Sequence, residues 1–287
     1  MLIADKLTFQ IGTKTLVQDV SFTLSPGQLL VILGANGAGK STLFHMLSGD
    51  KKPSQGTVTL NGKDLKTYTI QELALMRAVV NQQNTMNMAF TAHEIVLMGR
   101  YPHSLKGSAV RDTEIACKVM DLTGISHLSH RSYLSLSGGE QQRVQLSRVL
   151  AQIWDVENAL LLMDEPVSNL DILYQQQTLA IAKKLAERGV MVLAILHDIN
   201  LASQYADRII IPYHPKQVIL YAGENDIATG KQTGKQTFDR FVTLFEHVRQ
   251  KLPNATFTFI SIKPSPSRRQ YFPENDIANQ LIKQYLG

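Results

Sequence analysis

Three short stretches bring together residue types that handle phosphate. Gly34-Ala35-Asn36-Gly37-Ala38-Gly39-Lys40-Ser41 has the spacing Gly-x4-Gly-Lys-Ser, with the apolar run Leu29–Leu33 before it. Glycines let a backbone wrap an anion with its N–H groups pointing inward, and a helix starting at the loop adds the positive end of its dipole. In such a loop Lys40 reaches the β- and γ-phosphates and the Ser41 hydroxyl ligates Mg²⁺. Leu160-Leu161-Leu162-Met163-Asp164-Glu165 is an apolar strand ending in two carboxylates. Asp164 at the strand tip suits the magnesium shell, and Glu165 suits a general base that polarises an attacking water. Ser137-Gly138-Gly139 opens a further helix and makes a second anion cradle. Two cradles so far apart in one chain predict a nucleotide held between two copies of the protein.

These residues need elements to position them. Residues 2–9 and 16–24 alternate apolar and polar, as half-buried strands do. Gln28 to Leu33 reads as a central strand buried on both faces, and Lys40 to about Ser48 as the helix after the loop. Thr57 to Leu60, with Asn61-Gly62, predicts a hairpin. Strand character continues at Arg77–Val80, then returns at Ala159–Met163 and Val190–Leu196, with a helix from Leu173 to Arg188 that Gly189 stops. Between Thr91 and Ile153 the pattern is helical. Strand, helix, strand in this order predicts an α/β fold with a parallel sheet and a helical insertion.

Composition narrows the class. The 287 residues are 44% hydrophobic and 18% charged, which excludes a disordered chain. Cys117 stands alone, so no disulfide framework staples the fold. The longest apolar run, Val190 to Leu196, is far short of the about 20 residues a spanning helix needs. Asp5 interrupts the start where a secretory leader wants basic then apolar residues. The expectation is a cytoplasmic chain that meets a membrane only through a partner. Residues 1–211 carry 19 Lys/Arg against 18 Asp/Glu, and residues 212–287 carry 10 against 6. Neither segment has the dense basic stripe of a nucleic-acid binder.

Leu136-Ser137-Gly138-Gly139-Glu140-Gln141-Gln142-Arg143 is similar to the signature of the ATP-binding subunits of ABC transporters. The resemblance covers about residues 1–211 and implies that family's P-loop NTPase fold, with a helical subdomain at about 85–155. Other motifs match residue by residue. Gln82 matches the Q-loop glutamine, which senses metal and water and couples to the permease. Ser168-Asn169-Leu170-Asp171 matches the D-loop, which runs between protomers, and His197 matches the switch histidine that contacts the γ-phosphate. The resemblance implies catalytic roles for Glu165, His197 and Gln82. It implies ATP contacts for Gly34, Asn36, Gly37, Gly39, Lys40, Ser41, Thr42, Ser137, Gly138, Gly139 and Asp171. Mg²⁺ falls to Ser41, Gln82 and Asp164. One position departs from the pattern: the family often stacks an aromatic on adenine where this chain has Ile11, with Phe9 nearby.

The segment from Ala89 to His103, AFTAHEIVLMGRYPH, resembles the importers of iron chelates, haem and cobalamin, with haem the closest. That implies a homodimer of ATPase subunits under membrane permease subunits, on the cytoplasmic face, with a substrate-binding protein upstream. A siderophore or cobalamin importer is the near alternative. A soluble ABC protein acting on DNA or ribosomes would carry paired cassettes or coiled-coil insertions, and neither is present in the sequence.

The tail departs from this family. Val218 to Ala228, VILYAGENDIA, resembles block III of SGNH (GDSL-type) esterases, in which Asn225 would donate to an oxyanion hole. Helices at Phe238–Leu252 and Asp276–Leu286 and a strand at Thr256–Ile262 fit a partial α/β tail over 212–287. The nucleophile and Asp-x-x-His blocks of that family do not occur in the sequence, and acyl transfer needs an activated nucleophile beside the oxyanion donor. The tail is expected to be non-catalytic, with an unpaired sheet edge. An inactive fusion of the two parts is the remaining alternative.

Overall fold

The structure, a computed structural model, describes residues 1–35, 37–80, 89–104, 108–168, 170–211, 217–220, 227, 233–251, 253, 255–262 and 270–286. The chain divides into two units, Met1–Tyr213 and His214–Gly287. The first opens with β1 (Leu2–Ile11), β2 (Lys14–Leu24), β3 (Leu29–Leu33), α1 (Lys40–Ser48), β4 (Gln55–Leu60) and β5 (Lys63–Asp64). It continues with α2 (Ile70–Met76), β6 (Arg77–Val80), α3 (Ala92–Met98), α4 (Ala109–Leu122) and α5 (Gly138–Ile153). It closes with β7 (Leu160–Asp164), α6 (Ile172–Glu187), β8 (Met191–Leu196), α7 (Ile199–Tyr205) and β9 (Arg208–Ile210).

Among the described residues of this unit two sheets form. One is antiparallel, in the order β2-β1-β4-β5; the other is parallel, in the order β6-β7-β8-β3-β9. The central strands β3 and β8, and β7 up to Met163, are apolar because both faces are covered. Alternate residues serve different cores. Leu29, Val31, Leu161, Met163, Val192 and Ala194 pack with the helices of the insertion. Leu30, Ile32, Leu160, Leu162, Leu193 and Ile195 pack with α1 and the antiparallel sheet. Each such buried side chain contributes about 1.5–3 kcal/mol of hydrophobic stabilisation.

Local chemistry sets the element ends. Thr69/Glu72, Thr91/Glu94 and Ser137/Glu140 form reciprocal capping boxes at α2, α3 and α5. Asn61 and Gly62, both at positive φ, turn β4 into β5 as the Asn-Gly pair predicts. β1 and β2 run longer than the alternation shows, because register shifts at Ala4/Leu7, Leu7/Phe9 and Phe9/Gln10 break the period of two. α4 and α5 are tied by a buried polar network. Arg100, 4% exposed, donates to Asp112 Oδ1 at 2.8 Å, to Asp155 Oδ1 at 2.9 Å and to the Ala151 carbonyl at 2.8 Å.

The second unit holds β10 (Gln217–Leu220), α8 (Gly234–Lys251), β11 (Thr256–Phe259) and α9 (Phe272–Leu286). Its strands pair in parallel, in a two-stranded sheet among the described residues. Three extents differ from the sequence reading. α8 starts at Gly234 rather than Phe238, where Thr233 and Gln236 exchange hydrogen bonds. α9 starts at Phe272 rather than Asp276, because Pro273 is tolerated in a first turn. β11 ends at Phe259 rather than Ile262; the Ile262 backbone pairs instead with the Asn279 side-chain amide, at 2.8 and 3.1 Å. The unit has a core of its own. Phe241 meets Phe259 at 5.1 Å and Phe245 meets Phe257 at 4.8 Å between ring centres, and Ile227, Ile262 and Ala278 are buried together. Asn225 lies outside the described residues.

Candidate active site

The carboxyl ends of the parallel strands carry the site. Leu33 pairs with Leu196 and Asp164 with Ile195, so the loop after β3, the tip of β7 and His197 after β8 leave the sheet at one edge. In open parallel sheets this edge is where ligands bind. β6 pairs with β7 up to Val80–Met163, which brings the chain leading to Gln82 to the same edge. Gln82 itself lies outside the described residues, as do Asn36 and Asn169.

Lys40 starts α1 and is 6% exposed. Its ammonium donates to the Gly34 carbonyl at 2.7 Å and the Ala35 carbonyl at 2.9 Å, so it closes the loop upon itself. Burial pulls this ammonium below the ordinary lysine value; the charges of Glu165 and Asp164 act the other way. Gly39 has φ of 82°, and a Cβ there would stand 2.2 Å from the Leu16 carbonyl oxygen. Only glycine lets β2 lie against the loop this closely. Ser41 is exposed and Thr42 half-buried on the same helix.

Asp164 is half-buried, and its Oδ1 has no hydrogen-bond partner among the described residues. Burial first, then the Glu165 charge, raises its carboxyl above the usual range, while His45, Lys40 and His197 draw it down. An orphaned buried carboxylate oxygen is costly alone and well suited to a cation. The donor set of Ser41 hydroxyl and Asp164 carboxylate is hard oxygen, which fits Mg²⁺. His45 was not singled out by sequence. Its signal is its place on α1, five residues beyond Lys40.

Glu165 has φ of 48°, in the left-handed region. A non-glycine residue held there signals a position that its surroundings over-determine. The Ser168 hydroxyl and backbone N–H both donate to its carbonyl, at 2.9 and 3.1 Å. His197 Nε2 donates to its Oε1 at 2.5 Å. The side chains are 21% and 42% exposed, open to a ligand on one side.

The second cradle stands apart from this cluster in the sequence, at the start of α5. Ser137 caps the helix through Glu140, and the Ser137 backbone lowers the Glu140 carboxyl by hydrogen bonding. A Cβ at Gly138 or Gly139 meets nothing within 4 Å. Packing inside the chain therefore does not require glycine at either position. Asp171 caps α6, accepting from Tyr174 N–H at 3.0 Å. Ile11, at the end of β1, is 59% exposed, and the Phe9 ring carries Lys51 Nζ 4.9 Å from its centre.

The sequence profile of the ABC transporter family matches residues 17–168. The chain is 50% identical over 202 residues, 69% of it and 75% of that protein, to the hemin import ATP-binding protein HmuV of Methylobacillus flagellatus. It is 41% identical over 256 residues to the HmuV protein of Gloeobacter violaceus, 88% of this chain and 92% of that one. This second match is longer than residues 1–213 and so runs into the second unit. Among solved structures it is similar to a dimeric bacterial ABC transporter cassette, with 27% identity, a TM-score of 0.63 and coverage of 74% of this chain and 94% of that one. It is similar also to an inward-facing transporter of the metal-chelate type, with 29% identity, a TM-score of 0.61 and coverage of 73% and 78%. With its phosphate loop, carboxylate pair and helical insertion in place, the chain belongs to the ABC transporter family, as an ATP-binding, ATP-hydrolysing subunit.

Proposed function

We propose that this chain powers the import of hemin. The observation that carries the reading is the cluster at one sheet edge, with Lys40, Asp164, Glu165 and His197 acting on one another. Lys40 exchanges its loop carbonyls for the β- and γ-phosphate oxygens of ATP. Ser41, Gln82 and Asp164 would hold Mg²⁺, which when bound neutralises phosphate charge. Gly34, Asn36, Gly37, Gly39 and Thr42 bind phosphate through backbone and hydroxyl. Glu165 takes the proton of the water that attacks the γ-phosphorus, and ADP departs. His197 keeps the Glu165 carboxylate oriented and reaches the γ-phosphate.

The open faces of Gly138 and Gly139 favour two copies of the chain enclosing ATP. The Ser137 loop and Asp171 of one copy would face the phosphate loop of the other, as the dimeric cassette relative suggests. No helix among the described residues is long and apolar enough to cross a membrane, which suits a peripheral subunit beneath a permease. Hemin as cargo rests on the names of the relatives, as do the permease and an upstream binding protein. Reconstitution with the permease tests it: ATP-dependent uptake of hemin, and not of a siderophore or cobalamin, is expected, and uptake of either of the others alone would refute the cargo.

The tail's likeness to SGNH esterases rests on VILYAGENDIA, the FISIKPSPSR stretch and the order of its elements in sequence. We read residues 212–287 as a non-catalytic appendage, and an ester-hydrolysis assay on the full chain is expected to give no turnover.

A further inference from the structure

Pro166, Val167 and Leu170, which lie between Glu165 and Asp171, are held from two helices. From α5, Gln142 Nε2 donates to the Pro166 carbonyl at 3.4 Å. From α6, Gln175 Nε2 donates to the Leu170 and Val167 carbonyls at 3.0 and 3.4 Å. Side chains of the two helices also meet directly. The Arg143 guanidinium lies over the Tyr174 ring, 4.3 Å from its centre. Arg143 is half-buried, its buried Nε makes no hydrogen bond among the described residues, and the Tyr174 ring and the Glu140 charge both act on its guanidinium. Tyr174 is singled out on its own turn: Ile172 and Leu173 beside it are 77% and 62% exposed, whereas Tyr174 is half-buried.

α5 begins at the Ser137 cradle and roots in the helical insertion, while α6 begins at Asp171 and packs on the sheet through Leu179, Ala182 and Leu185. We propose that Arg143 and Tyr174 are a positioning pair that makes the Ser137 cradle and the 165–171 loop move as one body when a second copy closes on ATP. This rests on the two-copy reading above. A planar cation stacked on a ring face couples the two helices over an area rather than at a single atom. Neither residue is among those assigned above to the nucleotide or to the attacking water. Its loss should leave ATP binding to one copy intact and slow the step that needs both.

Steady-state ATPase of the full chain tests this with Tyr174→Ala, Tyr174→Phe, Arg143→Gln and the double variant Arg143→Gln/Tyr174→Ala. Tyr174→Ala is expected to lower kcat about tenfold with KM for ATP within about twofold, and Tyr174→Phe to restore kcat because the ring face remains. The double variant should be no slower than the slower single one, since each removes the same contact. In a Glu165→Gln background, Tyr174→Ala should shorten the lifetime of the ATP-trapped dimer. Unchanged kcat, a KM rising in step with the loss, or multiplying losses in the double variant would overturn the pair. If Tyr174→Ala does not fold, Arg143→Gln, which leaves the ring in place, carries the same readouts. A Glu165→Gln chain that stays single with ATP overturns the two-copy reading and this proposal together. A trapped dimer with wild-type kinetics in Tyr174→Ala overturns this proposal alone.

Discussion

His197 Nε2 lies 2.5 Å from Glu165 Oε1, which joins the ends of two neighbouring parallel strands across the place where phosphate is expected. The contact spans 32 residues of sequence. Glu165 itself sits in a backbone conformation that few residues adopt. The fold thus fixes where the carboxylate stands.

Glu165→Gln keeps the shape of that side chain and removes its basicity. Phosphate release should fall at least about 100-fold, the lower end of general-base contributions. ATP should stay bound, and size-exclusion chromatography should show a dimer that ADP does not produce.

Asp164→Asn should separate stability from activity. The carboxylate is half-buried, one of its oxygens lacks a partner, and Glu165 repels it. The amide removes that repulsion, so thermal denaturation of the nucleotide-free chain should show an equal or higher Tm. ATPase activity should be lost, and Mg²⁺ should no longer add to the stabilisation that ATP gives.

Arg100→Ala should destabilise the first unit. It strands Asp112, 13% exposed, and leaves Asp155, 21% exposed, with Arg111 alone. Breaking a buried pair of this kind costs about 3–5 kcal/mol, readable in urea denaturation. The pH dependence should change as well. Burial raises the Asp155 carboxyl, but hydrogen bonding to Arg100 and the charges of Arg100 and Arg111 outweigh it and leave it below the usual value. A lowered carboxyl contributes stability above its unfolded value, near about 3.9, and loses it as pH falls through the folded one. The wild type should therefore weaken on acidification below about pH 4, and Arg100→Ala should weaken less over that range.

Removal of residues 214–287 should leave ATPase activity at the level of the full chain. Every described residue assigned to the site lies in the first unit, which has its own two cores. A large loss of turnover in the 1–213 fragment would give the second unit a part in the cycle.

The phosphate loop, the carboxylate pair and the signature could be read from sequence because their chemistry demands particular residues at fixed local spacing. Leu29–Leu33 and Leu160–Met163 were legible as strands because burial on both faces leaves no polar interruption. The bulges between β1 and β2 were not, since Lys6 in β1 and Asp19 in β2 reach positive φ without a glycine to mark them. Nor could spacing disclose Arg100 with Asp155, 55 residues on, or Arg143 with Tyr174. Those contacts exist only once the helices have packed. Lys40 was placed correctly in the chain, but its hold on the Gly34 and Ala35 carbonyls is a feature of the folded loop.

Gln152, near the end of α5, donates at 2.7 Å to the Ala74 carbonyl and at 2.9 Å to that of Arg77, where α2 passes into β6. A single amide therefore fastens the helix that begins at Ser137 to the strand that leads toward Gln82. Tilting that helix would tug on the root of β6. A push felt by the insertion would reach the strand beside β7 as mechanical strain.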